Sequence, residues 1–220
     1  LGEDAIAFQC PLLGGDTVST PGPLMISITA FGRVPPGEMV RRSRAEPGDR
    51  VVVSGTIGDA ALGLAVLGGR VAVDDPAARE ALIGRYRVPQ PRVTLADAVR
   101  DHARAAMDVS DGLAGDLAKL CAASGVSAVI DAASVPLSAA VRGLMAEGKT
   151  SFETAVSGGD DYEILCTIPE DRFEAFAQAA GRAGIAVTSI GAVVAGKTAP
   201  RWLDGEGREI VLGQLSYSHF

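Results

Sequence analysis

The stretch Ala106-Met107-Asp108-Val109-Ser110-Asp111-Gly112-Leu113 constrains this chain more than any other. Two carboxylates stand three residues apart, with a hydroxyl between them and a glycine directly after. Leu113, Leu117 and Leu120 then recur at helical spacing. The pattern predicts a strand that ends at Asp108, a tight turn over Ser110 to Gly112, and a helix from Leu113 to Ser124. Ser110 or Asp111 is the expected cap of that helix. Such a turn aims Asp108 and Asp111 at one point. Two hard oxygen ligands there suit Mg2+, which takes one or two carboxylates and completes its shell with phosphate oxygens and water. Plain helix capping produces the same residue pattern, and this stretch alone does not choose between the two.

Two further acidic turns share its character. Pro11-Leu12-Leu13-Gly14-Gly15-Asp16 reads as a buried strand end, then a glycine turn with a carboxylate at its lip. Ser157-Gly158-Gly159-Asp160-Asp161-Tyr162-Glu163 places two carboxylates after two glycines and runs into a strand at Ile164. Taken singly, each is most simply a solvated turn. Arg41, Arg42 and Arg44 form a basic cluster in an acidic chain, and an Arg there offers a forked donor set to a phosphate.

The remaining pattern predicts strands at Leu24 to Arg33, Arg50 to Gly55, Ser127 to Ile130 and Ala186 to Ala195. Helices are expected at the start of the chain up to Phe8, at Ala60 to Leu67, Ala77 to Tyr86, Val93 to Ala105, Ser138 to Glu147, and Asp171 to Ala183 with Asp171 as cap. Strands and helices alternate, which predicts a mixed α/β or α+β fold. Thr56-Ile57-Gly58-Asp59 follows a strand and opens a helix, as phosphate loops do. However, neither GxxxxGK[ST] nor a GxGxxG follows that strand, so neither common nucleotide fingerprint is present. His102 and His219 have no nucleophile partner in the pattern.

The formal net charge of −7 argues against nucleic acid and anionic membranes as partners. It also repels an anionic substrate unless metal ions screen it. Cys10, Cys121 and Cys166 have no metal-ligand spacing and no disulfide pattern, which points to the reducing cytoplasm. No stretch reaches the length of a membrane span.

Three acidic turns, one Arg cluster and no nucleophile motif point to phosphoryl transfer, which needs positioning and cationic neutralisation more than covalent help from protein. The residues that carry this pattern are similar to those of the thiamine-monophosphate kinase family, within the aminoimidazole-ribonucleotide-synthetase-like superfamily. The resemblance rests on Gly14 to Thr17, Arg42-Ser43-Arg44-Ala45 with Pro47-Gly48-Asp49, Ser54 to Asp59, Asp108 to Leu113, Gly158 to Glu163, and the ending Tyr217-Ser218-His219-Phe220.

The resemblance implies ATP-dependent phosphorylation of thiamine monophosphate to thiamine diphosphate, by direct in-line transfer with several Mg2+ ions. It implies ATP contacts at Gly15, Asp16, Arg42 and Ser110, metal ligation at Asp16, Asp108 and Asp111, and substrate contacts at Asp160 and Phe220. Asp160 stands where the family most often has Glu. The implied architecture is two-domain and synthetase-like. Residues 1–36 would end an N-terminal ATP- and Mg-binding domain, 37–47 would be a linker, and 48–220 a complete C-terminal α/β domain. A homodimer through the mostly missing N-terminal domain is implied too, and little activity is expected of these residues alone. Two other readings remain: a sibling ATP-dependent synthetase, or a non-catalytic nucleotide-binding protein.

Overall fold

A computed structural model describes residues 2–217 of the chain. It divides into two compact units, residues 1–39 and 40–220. The first holds helix α1 (Gly2–Ala7), as its pattern predicts, and then irregular backbone. The strand expected at Leu24 to Arg33 does not form, and Leu12 and Leu13 are 83% and 84% exposed rather than a buried strand end. A lone strand cannot satisfy its backbone groups; it needs a partner edge, and the described residues of this unit contain no other strand.

The second unit is built on strands β1 (Arg50–Ser54), β2 (Ala105–Val109), β3 (Ser127–Asp131), β4 (Glu163–Ile168), β5 (Val187–Val194), β6 (Arg201–Leu203) and β7 (Glu209–Ile210). They form one sheet in the order β2-β4-β1-β5-β3-β6-β7, antiparallel throughout except for the parallel β3–β6 pair. The helices are α2 (Asp59–Leu67), α3 (Pro76–Arg87), α4 (Ala96–His102), α5 (Leu113–Ser124), α6 (Ala139–Ala146), α7 (Phe152–Ser157) and α8 (Phe173–Arg182).

Side chains alternate along the central strands. Val51, Val53 and Leu165 pack with Leu113, Leu117 and Leu120 of α5 on one face. Val52, Cys166 and Ile168 pack with Ala98 of α4 and Phe176 of α8 on the other. Because both faces are covered, Val51 to Val53 reads as a continuous apolar run rather than an alternating one. A separate cluster of Leu62, Leu82, Val141, Leu144 and Ala155 ties α2, α3, α6 and α7 together.

Three local expectations are corrected. The helix predicted from Val93 to Ala105 is a 3-10 turn (Val93–Leu95) and then α4, which stops at His102. There Arg104 N–H already donates to the Thr167 carbonyl (2.8 Å), extending the β2–β4 ladder. Asp171 does not cap α8. The chain leaves Pro169 through a 3-10 turn (Glu170–Arg172) that places Asp171 inside it rather than ahead of the helix. Neither Ser110 nor Asp111 caps α5, whose first backbone amides lie behind Gly112 with no side-chain cap. Ser138 caps α6 as expected, accepting from Val141 N–H at 3.1 Å. Helix α7, capped by Ser151, has no counterpart in the sequence pattern.

Candidate functional site

The site grows out of the pairing of β2 with β4. Asp108 faces Ile164 and Val109 faces Glu163 in register. Past the end of the ladder the two chains stay joined. Tyr162 N–H donates to the Val109 carbonyl and Asp160 N–H to the Ser110 carbonyl, both at 2.8 Å. The turn after β2 and the turn before β4 are therefore a single zipped unit. Gly159 makes the close approach possible, since a Cβ there would lie 2.4 Å from the Ser110 oxygen. Asp160 and Tyr162 both take left-handed backbone, with φ of 68° and 50°. Asp tolerates that region; a bulky aromatic does so only when held.

Asp108, Asp111 and Asp160 share one electrostatic neighbourhood. Burial pushes the Tyr162 hydroxyl above its ordinary pKa, and the negative charges of Asp160, then Asp108 and Asp111, push it further. That hydroxyl also donates to Asp160 Oδ1 at 3.3 Å. Asp108 is exposed, and the Asp111 side chain is 47% exposed beside Lys119 Nζ, so both carboxylates are accessible.

A buried acid that the sequence reading passed over sets this turn. Asp116, fully buried on α5, accepts Ser110 N–H and Asp111 N–H on its single Oδ2, each at 3.0 Å. Its Oδ1 pairs with Lys119 at 2.9 Å. Asp116 thus does, from inside the helix, the work expected of a cap ahead of it.

The third turn also differs from a solvated one. Asp161 is fully buried and accepts Gly58 N–H at 2.8 Å and Ala60 N–H at 3.3 Å. Burial pushes its carboxyl up to about 8, against the two backbone donors; Asp59 adds to the rise and Arg85 opposes it. The amides at the start of α2, which a phosphate would take in a phosphate loop, are spent on Asp161. Glu163 is likewise fully buried, and it receives Arg85, Arg92 and Ser54. Nothing in the spacing of Arg85 and Arg92, on either side of Pro89, marks them as partners of one carboxylate.

Of the other expected site residues, Arg42 lies apart. Ser124 Oγ, at the far end of α5, donates to the Arg42 carbonyl at 3.1 Å. Twelve helical residues, about 18 Å, separate that end from Ser110, so the chain holds Arg42 and Ser110 at opposite ends of α5. Gly15 and Asp16 belong to the first unit, where Asp16 Oδ1 accepts Thr17 N–H at 2.8 Å. Phe220 lies outside the described residues. The tail before it does reach the site, as Tyr217 N–H donates to the Asp111 carbonyl at 2.9 Å. A cavity of about 520 Å3 opens beside it, lined by Asp160, Tyr217, Gly158, Ser157, Arg70 and Lys149 among others. Among the described residues, no three His, Cys, Asp or Glu side chains form a ready-made metal cage. No helix among them is long and apolar enough to cross a membrane.

Residues 46–202 match the family model described as AIR synthase related protein, C-terminal domain. The thiamine-monophosphate kinase of Caulobacter vibrioides is 43% identical over 222 aligned residues, covering 100% of this chain and 61% of the relative. Among solved structures, the thiamine-monophosphate kinase of Stenotrophomonas maltophilia K279a superposes with a TM-score of 0.69 at 38% identity, over 79% of this chain and 55% of that one. The structure of AaThiL complexed with AMPPCP and TMP gives 0.66 at 33% identity, over 82% and 54%. The chain spans 61% and 64% of the length of the first two curated relatives it matches. With residues 46–202 matching the C-terminal-domain model, the chain belongs to the AIR-synthase-related family, and the first two curated relatives compared are thiamine-monophosphate kinases.

Proposed function

We propose that this chain supplies part of the active site of an enzyme that phosphorylates thiamine monophosphate with ATP, giving thiamine diphosphate and ADP. One observation carries the reading furthest: Asp160 N–H on the Ser110 carbonyl, which locks two acidic turns together and brings Asp108, Asp111 and Asp160 around Tyr162. The similarity to proteins named as this kinase, one of them bound to AMPPCP and TMP, supports it.

Phosphoryl transfer asks a protein to hold its phosphates and neutralise their charge. Two accessible carboxylates with oxygen donors only, at one end of a strand, fit a hard divalent cation whose remaining ligands are phosphate oxygens and water. Asp108 and Asp111 would hold Mg2+, and Asp16 is a further metal-ligand candidate. When bound, Mg2+ would offset the negative charge of the phosphates in an otherwise acidic site. Both backbone groups of Ser110 are engaged, with Asp116 and Asp160, which leaves its hydroxyl for a nucleotide contact. Asp160, one methylene shorter than Glu, would face the acceptor at the mouth of the adjoining cavity, where Arg70 supplies positive charge and Lys149 is already paired with Asp74 and Glu147. Phe220, outside the described residues, is the candidate contact for the thiamine moiety. Gly15 and Arg42 would contact ATP, and Arg42 would do so remote from Ser110 along α5. A cytoplasmic homodimer is part of the same proposal.

The test uses the longest natural polypeptide that carries this sequence. It is incubated with Mg2+-ATP and thiamine monophosphate, and thiamine diphosphate is measured directly. Product that needs both Mg2+ and ATP is expected. Asp111→Asn, which keeps the shape and removes the charge, should lower the rate by about a hundredfold or more. Wild-type rates in that variant would refute the metal assignment, and no product with ATP still bound would refute the substrate.

A further inference from the structure

Arg85 and Arg92 both reach Glu163, at the start of the strand that follows the Asp160 turn. Arg92 and the Nη2 of Arg85 are already engaged, whereas Arg85 Nη1 is buried with no partner among the described residues. Arg92 forks onto Glu163, with Nε on Oε2 at 2.7 Å and Nη2 on Oε1. Arg85 Nη2 donates to Glu163 Oε1 at 2.9 Å and to the Asp161 carbonyl at 3.0 Å. Ser54 Oγ donates to Glu163 Oε2 at 2.6 Å and accepts Ile164 N–H at 2.8 Å. The Glu163 side chain is 0% exposed, and those of Arg85 and Arg92 are 18% and 19%. Space for the carboxylate exists because residue 55 is glycine, where a Cβ would lie 2.2 Å from Oε1.

The Asp161 carbonyl sits between two left-handed residues, Asp160 and Tyr162. Such backbone persists only when its surroundings over-determine it. On one side the Ser110 and Val109 carbonyls hold the amides of Asp160 and Tyr162. On the other, Arg85 holds the carbonyl between them.

We infer that Arg85, braced by Glu163 and Arg92, is a positioning residue that fixes the left-handed Asp160–Tyr162 backbone and thereby places Asp160. The inference rests on the phosphoryl-transfer reading only for its kinetic consequence. The structural consequence stands alone.

Two readouts test it in the longest natural polypeptide carrying this sequence. The first is amide hydrogen exchange at Asp160 and Tyr162 in Arg85→Met, which keeps much of the apolar stem. Exchange at both amides should quicken by about tenfold or more, with amides of β1 and β5 unchanged. The second is a double-mutant cycle on kcat/KM with Asp160→Ala. Each single variant should lose about a hundredfold, and the double no more than the worse single, because both act through one group. Arg85→Lys, which keeps charge without the fork, should fall between wild type and Arg85→Met in both readouts, and it serves alone if Arg85→Met does not fold. Unchanged exchange at both amides overturns the inference. So do additive losses in the cycle, which mark a direct ligand. A wild-type protein that makes no thiamine diphosphate refutes the proposed substrate, and the exchange result still decides the role of Arg85.

Discussion

Replacing Asp116 separates a structural carboxylate from the metal-ligand candidates beside it. One oxygen of this fully buried group accepts the amides of both Ser110 and Asp111, at 3.0 Å each. A hydrogen bond to a charged acceptor contributes about 1.5–3 kcal/mol, and losing it strands the donor. Asp116→Ala removes two, so the chain should lose about 3–6 kcal/mol, a large part of the roughly 5–15 kcal/mol that stabilises a typical domain. Lys119 adds little to the balance, because it is exposed and keeps Asp111. Asp116→Asn behaves differently. Both amides share one oxygen, so a carboxamide oxygen in the same place keeps both bonds and forfeits only their charge assistance, about 1–2 kcal/mol. The assay is urea denaturation at neutral pH, comparing midpoints at a common m-value. A loss below about 1 kcal/mol in Asp116→Ala, or equal losses in the two variants, would refute the claim that this oxygen holds the turn.

Three further outcomes are expected. Gly159→Ala should cost about 1–3 kcal/mol by forcing a methyl against the Ser110 oxygen, whereas Gly143→Ala, in α6 with nothing within 4 Å, should gain about 0.5–1 kcal/mol; thermal melts compare them. Burial pushes Asp161 up to about 8 in the folded chain, while its unfolded pKa is about 3.9, so between these values the folded state holds an extra proton and stability from this group falls as pH rises. The stability of wild type relative to Asp161→Asn should therefore decline from pH 5 to pH 8 in urea titrations; a flat difference would count against it. Cys10 is exposed, whereas burial raises Cys121 to about 11 and Cys166 to about 12, so iodoacetamide at pH 8 should label Cys10 alone in the native chain and all three in urea, read by intact mass.

Helix α5 and its flanking strand were legible because Leu113, Leu117 and Leu120 repeat at helical spacing and Asp108 closes an apolar run. Strand β1 was legible because its valines are buried on both faces. What spacing cannot encode is partnership across long separations. Asp161 and Glu163 read as solvated acids because their partners, Gly58 and Arg85, are 103 and 78 residues away in sequence. Asp116 read as an ordinary helical residue because its bonds run backwards to amides that precede the helix. The opposite error arose at Leu24 to Arg33, where good strand chemistry has no partner edge among the described residues of its unit. The acidic turns were visible as motifs. That two of them interlock while Arg42 sits at the other end of α5 follows from sheet register and helix length.

The place of β2 in the sheet has a consequence for how this protein is handled. It is a terminal strand, so one row of its backbone groups has no neighbour in the sheet. Exposed edges of this kind recruit other chains, and an exposed charge on the edge is a common deterrent. Asp108 is that charge as well as a metal-ligand candidate. Neutralising it would remove an aggregation gatekeeper along with the proposed ligand. A lost activity in Asp108→Ala then carries meaning only when the variant's monodispersity has been checked by light scattering. Asp111, in the turn beyond the strand, is the cleaner position for testing the metal.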